Sequence, residues 1–211
     1  MTTTVDAMSL AYDERSDLAD LLTTLTPAQW EAPTLCTRWR VRDMVAHMFS
    51  YEELGTGGLI ARFIRSGLNP GRANAIGVAA YAHHGTDDLL ALVEDHLRPR
   101  GLTAGFGGRI ALTDGLIHHQ DIRRSLGLPR DIPADRMLCT LQFARTAPPI
   151  GARKRIRGLT LIATDLDWTT GTGPAVEGPA EALLMAIAGR HGTVDDLSGP
   201  GQQTLAERIG G

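Results

Sequence analysis

The sequence predicts a mainly α protein: a helical bundle over residues 1–147, with a small α+β segment over 148–211 packed on the bundle. Three observations lead there. Apolar residues recur at three- and four-residue spacing through the first two thirds of the chain. The texture changes at Pro148-Pro149-Ile150-Gly151, after which an alternating, β-branched run appears. The chain has 211 residues and 43% hydrophobic content, enough for one buried core and a smaller second one.

The elements follow in order. Over residues 4–25, Met8, Leu10, Ala11, Leu18, Leu21, Leu22 and Leu25 make a helical stripe. Thr26-Pro27 restarts a short helix to about Trp30, with Thr26 as cap and Pro27 in the first turn. Residues 32–37 form a connector. A second long helix begins at Trp39, with Val41, Met44, Val45, Met48, Phe49 and Leu54 on its apolar face. It breaks at Gly55-Thr56-Gly57-Gly58 and resumes through residues 59–64. Asn69-Pro70-Gly71 is a turn, and 72–84 is weakly helical. Thr86-Asp87-Asp88 is an N-cap signal for a helix carrying Leu89, Leu90, Leu92, Val93 and Leu97, which Pro99 ends. Residues 105–108 are a glycine-rich joint. A helix then runs over about 109–126 and stops at Gly127, and another spans about 131–147. Beyond it, 159–164 reads as a strand, 167–173 as a hairpin or loop, 175–177 as a second strand, 179–190 as an apolar helix and 200–209 as a last helix.

Charge and cysteine content narrow the function. The formal net charge is -3, which leaves no broad basic face for nucleic acid. The basic clusters Arg38, Arg40, Arg42 and Arg153, Lys154, Arg155, Arg157 read as solvated faces or turns. No apolar run approaches the roughly 20 residues that span a bilayer. The N-terminus lacks a signal pattern, so a cytoplasmic protein is expected. Cys36 and Cys139 fit no CxxC spacing and read as small core residues.

One stretch concentrates chemistry. Asp114, His118, Asp121 and Ser125 share one face of the helix over 109–126. An acid and a histidine four apart can offer a carboxylate oxygen and an imidazole nitrogen to one cation, and mixed nitrogen and oxygen donors suit zinc. The third ligand would be His47, which lies in the apolar stripe of the second helix and faces the bundle interior. Bland readings stand beside each: a histidine in a stripe is often a hydrogen-bonded core residue, and Asp121 could pair with nearby arginines. Asp121 could instead hold His118 or His119 as a carboxylate behind the ligand. His119, about 100° round the helix, reads as an outer or surface group. Arg72 could reach a substrate carboxylate, or be a surface arginine. Trp30, Trp39 and Trp168 read as packing residues.

The run from Trp30 to His47, W-E-A-P-T-L-C-T-R-W-R-V-R-D-M-V-A-H, resembles the opening signature of the DinB-like, mycothiol-dependent maleylpyruvate isomerase family. Asp114 followed by H-H-Q-D-I-R-R-S-L-G from His118 to Gly127 is similar to that family's second signature. Ala163 to Trp168, Gly178 to Leu184 and Gly189-Arg190 resemble its appended C-terminal segment. The resemblance implies a DinB-like four-helix bundle that binds a divalent metal, commonly zinc, through His47, Asp114 and His118. Asp114 departs from the isomerase pattern, which has Glu there; its carboxylate reaches less far. The implied function is a metal-dependent thiol transferase or isomerase that takes mycothiol as cosubstrate and acts on a small electrophile through a thiolate. A non-catalytic metal-binding bundle, or a small-molecule-binding or stress-associated protein, is the alternative. The expected partners are a small-molecule thiol and an electrophile, with no nucleic acid or membrane, in a monomer or homodimer.

Overall fold

A computed structural model describes residues 6–210. The predicted helix start near residue 4 lies outside them; Asp6 is the N-cap, accepting from the Met8 N–H at 3.1 Å. The helices are α1 (Ala7–Thr24), α2 (Pro27–Trp30), α3 (Val41–Phe49), α4 (Thr56–Arg65), α5 (Pro70–Ala80), α6 (Thr86–Asp95), α7 (Arg109–Leu126), α8 (Ala134–Ala144) and α9 (Ala152–Ile156). Strands β1 (Thr160–Ala163), β2 (Thr169–Gly171) and β3 (Ala175–Gly178) follow, then α10 (Ala180–Ile187) and α11 (Gln202–Gly210). Among the described residues, no helix is long and apolar enough to cross a membrane.

The chain divides into two compact units, one ending at Arg130 and the other beginning at Asp131. The first is the expected four-helix bundle. Its helices touch in a closed ring, α1 on α7, α7 on α3, α3 on α6 and α6 on α1. Leu18, Leu22, Met44, Phe49, Leu89 and Ile122 fill the middle and are fully buried. α4 and α5 pack on each other, and α5 lies on α3. The joint before α7 has a steric reason. Gly108 has φ 92°, and a Cβ there would stand 2.8 Å from the Met8 Cα, so α7 starts against the backbone of α1.

Two expectations in this unit shift. Trp39 does not begin a helix. Its N–H donates to the Cys36 carbonyl at 3.0 Å, its carbonyl accepts from the Thr34 N–H at 3.1 Å, and Pro33 bridges to Arg40. The loop folds on itself, and α3 starts at Val41 with Asp43 accepting from the Arg40 N–H at 3.1 Å. α3 also ends earlier than its apolar stripe suggests, at Phe49.

In the second unit β1 is central, antiparallel to β2 and parallel to β3. The predicted hairpin region thus supplies a paired edge strand. Leu161 and Val176 are fully buried, and the apolar helix α10 covers the sheet with Leu183, Leu184 and Ile187. α8 packs on α10 and sits in this unit, whereas the sequence reading places it with the bundle.

Candidate metal centre

α3 and α7, adjacent in the ring, bring His47, Asp114 and His118 together. Helical spacing places Asp114 one turn before His118 on α7, and His118 Nε2 is 3.5 Å from Asp114 Oδ1. His47 Nε2 is 3.9 Å from the same oxygen. The two imidazoles meet edge to face, ring centres 5.0 Å apart. Both histidines are buried, and Asp114 keeps 40% of its side chain exposed. The cluster therefore lies at the wall of the bundle, with the carboxylate on its open side.

The donor set fits a divalent cation. One ligand atom from each residue lies within 4.8 Å of the others, so a common point exists within about 2.8 Å of all three, and shifts of about 0.7 Å reach the 2.0–2.2 Å of zinc bonds to nitrogen and oxygen. The shorter acid does not open this gap, since its Oδ1 is 3.5 and 3.9 Å from the two imidazole nitrogens. Two further groups hold the imidazoles. His118 Nδ1 donates to Asp121 Oδ2 at 2.9 Å, and Asp121 is fully buried, so Nε2 is the atom turned toward Asp114. The Trp39 ring lies 4.3 Å from that of His47, tilted by 32°. The folded connector that removed Trp39 from the helix is what lays it there. The same connector is tied to α7 by the Leu35 N–H, which donates to the Asp121 carbonyl at 3.3 Å.

Electrostatics polarise the cluster. Burial pushes the Asp114 carboxyl up, but the His118 and His47 imidazoles outweigh it and hold the group at about 2. Burial pushes His118 down, yet Asp114 and Asp121 together raise it to about 9.

His119 has a different fate from the surface role expected of it. It is completely buried, with Nδ1 2.8 Å from Glu14 Oε1 and Nε2 accepting from Arg123 Nε at 2.8 Å. Arg130 Nη2 donates to the same Glu14 oxygen at 2.5 Å. An accepting Nε2 fixes His119 as neutral, donating from Nδ1. Burial, the dominant influence, agrees and lowers its pKa to about 4. Arg72 is exposed at the start of α5, and no hydrogen bond or ion pair among the described residues ties its guanidinium to the cluster. Cys36 is partly buried and Cys139 buried, and neither forms a disulfide.

Sequence reasoning missed several buried charges. Glu14 and Arg15 are 1% and 3% exposed, and Arg15 Nη2 pairs with Glu52 Oε1 at 2.5 Å. The signal was present: Glu14 and Arg15 interrupt the stripe of α1 at helical spacing from Leu10, Ala11 and Leu18. Arg62, buried on α4, was missed as well.

Residues 11–101 match the family described as the mycothiol maleylpyruvate isomerase N-terminal domain. Two crystal structures of the mycothiol-dependent maleylpyruvate isomerase, one of them a histidine-to-alanine mutant, resemble the chain with TM-scores of 0.55 and 0.56. Each is 16% identical, covers 92% of this chain, and is itself covered over 91% of its length. What they share with this chain is the fold. No curated protein matches the chain.

Proposed function

Since residues 11–101 belong to the mycothiol maleylpyruvate isomerase N-terminal domain family, we propose that this protein is a divalent-metal-dependent enzyme that uses mycothiol as a nucleophile against a small electrophile, as transferase or cis–trans isomerase. The observation that carries the reading is the convergence of His47, Asp114 and His118 from two helices onto one point. A divalent cation held by these three, with zinc the best match to two imidazoles and a carboxylate, lowers the pKa of a thiol that meets it and so supplies a nucleophile at neutral pH.

The remaining chemistry belongs to the protein. Asp121 fixes the ring orientation of His118 and makes its Nε2 a stronger donor. Trp39 covers one face of His47 and excludes water there. Asp114, exposed on one side, marks the direction from which thiol and electrophile enter. The bundle thus presents three fixed donors and one open side, which leaves positions free for exogenous ligands.

The test is metal content followed by turnover. Zinc-loaded wild-type protein should isomerise maleylpyruvate with mycothiol returned unchanged, or consume mycothiol against a generic electrophile such as monochlorobimane, and His47→Ala should lose both stoichiometric zinc and turnover. Full zinc occupancy in His47→Ala, or turnover unaffected by a chelator, would refute the assignment.

A further inference from the structure

Arg62 is a buried cation that the reaction above leaves unused. It projects from α4 and is 8% exposed. Its guanidinium lies 4.8 Å over the Tyr51 ring, and Nη1 donates to Ser50 Oγ at 3.1 Å. Among the described residues no carboxylate pairs with it. Arg15 and Arg130, buried to a similar degree, pair with Glu52 and Glu14 at 2.5 Å. A buried guanidinium that meets Ser50 and Tyr51 but no carboxylate is costly to keep.

The fold makes specific room for this arrangement. A Cβ at Gly77 of α5 would stand 2.5 Å from Ser50 Oγ and 2.9 Å from Arg62 Nη1. Glycine inside a helix costs about 1 kcal/mol relative to alanine. No left-handed φ calls for it here; the close approach of Ser50 at the end of the facing helix, with Arg62 Nη1 lying on Ser50, leaves no room for a Cβ. The group is linked to the metal centre through Ser50 and Tyr51. Ser50 Oγ donates to the His47 carbonyl at 3.2 Å, and Tyr51 lies within electrostatic reach of Asp114. Tyr51 is held in turn by its hydroxyl, which donates to Asn74 Oδ1 at 2.6 Å.

We propose that Arg62, seated on Tyr51 and Ser50 against Gly77, is an anion subsite linked to the metal centre that takes a carboxylate of the electrophilic substrate. The planar fork of a guanidinium matches a carboxylate through two parallel hydrogen bonds, and the tyrosine ring holds the fork in place. That the bound carboxylate belongs to the electrophile rests on the thiol-transfer reading; that an anion binds at Arg62 does not.

The experiment compares butyrate with uncharged butyramide by NMR titration of zinc-loaded and chelator-treated protein, with zinc content measured on every sample. The wild type should bind butyrate about tenfold more tightly than butyramide, in line with a charge-assisted pair, in both zinc states. In the chelator-treated protein Arg62→Met should erase that preference, and the variant should still load zinc. Arg62→Lys, which keeps the charge and loses the fork, should keep part of it, and serves if Arg62→Met does not fold. An equal preference in chelator-treated Arg62→Met, or none in the wild type, overturns the proposal. Absence of zinc from every sample with the butyrate preference intact would sink the metal reading and leave this one standing.

Discussion

Zinc binding to this protein should release close to one proton at pH 7.5, and the structure says which. His118 titrates at about 9 because Asp114 Oδ1, 3.5 Å away, and Asp121 Oδ2, 2.9 Å away, outweigh its burial. At pH 7.5 it is therefore roughly 97% protonated in the metal-free protein, and the proton must leave before Nε2 can donate to a cation. Asp114, held at about 2, is already ionised and contributes none. Displacing the His118 proton costs about 2 kcal/mol at pH 7.5, or roughly 30-fold in affinity against the limit above pH 9. The apparent zinc affinity should rise about tenfold per pH unit between 7 and 9 and then flatten. Titration calorimetry in two buffers of different ionisation enthalpy gives the proton count directly. One zinc bound with an enthalpy independent of buffer would refute the reasoning, since either His118 would not be the ligand or its two acids would not act as the distances require.

Two further outcomes concern stability of the zinc-free protein. His119 and Glu14 both titrate below their unfolded values, at about 4 and about 2, so the unfolded chain binds more protons as the pH falls. The pair's joint contribution is complete above pH 6.5 and is lost on acidification, on the order of 3 kcal/mol by pH 4. His118, raised, behaves oppositely and loses its contribution only as the pH rises toward 9, so the acid loss is not its doing. Urea midpoints at pH 7.5, 5.5 and 4 measure the effect, and a flat profile would contradict it. Separately, Glu52→Gln leaves Arg15 buried opposite a neutral amide and weakens the hold on Thr103 and the Arg100 N–H. A loss of about 3–5 kcal/mol in urea unfolding is expected, and less than about 1 kcal/mol would show the pair to be incidental.

How far the sequence reached depended on the range of the interaction. The α7 pattern was legible residue by residue, because spacing along one helix fixes which side chains share a face, and Asp114, His118 and Asp121 fall as that rule places them. His47 was legible as a polar break in an apolar stripe, and its meeting with α7 came from family resemblance rather than from periodicity. Trp39 was misplaced because a helical apolar pattern continues through it, while the hydrogen bonds of the Thr34–Trp39 loop decide the backbone. The partners of His119 were out of reach. Glu14 is 105 residues away, and nothing local says which of 24 acidic residues a buried imidazole will meet.

The adjacent pair His118 and His119 shows why such a site needs more than its ligands. The two share a helix and a backbone, and nonetheless one is raised to about 9 while the other is lowered to about 4. The difference is the 100° between neighbouring helical positions, which turns His118 toward two carboxylates and His119 toward a single acid flanked by Arg123 and Arg130. His119 cannot protonate cheaply, so it is fixed as a neutral strut joining α7 to Glu14 of α1. That strut holds the helix on which Asp114 and His118 ride, and the ring α1–α7–α3 then sets their distance from His47. The three donors have about 0.7 Å to close on a cation, so the standing of α7 against α3 decides whether side-chain movement alone can close it. The buried charges of α1 therefore bear on the metal centre without touching it, by fixing where α7 stands.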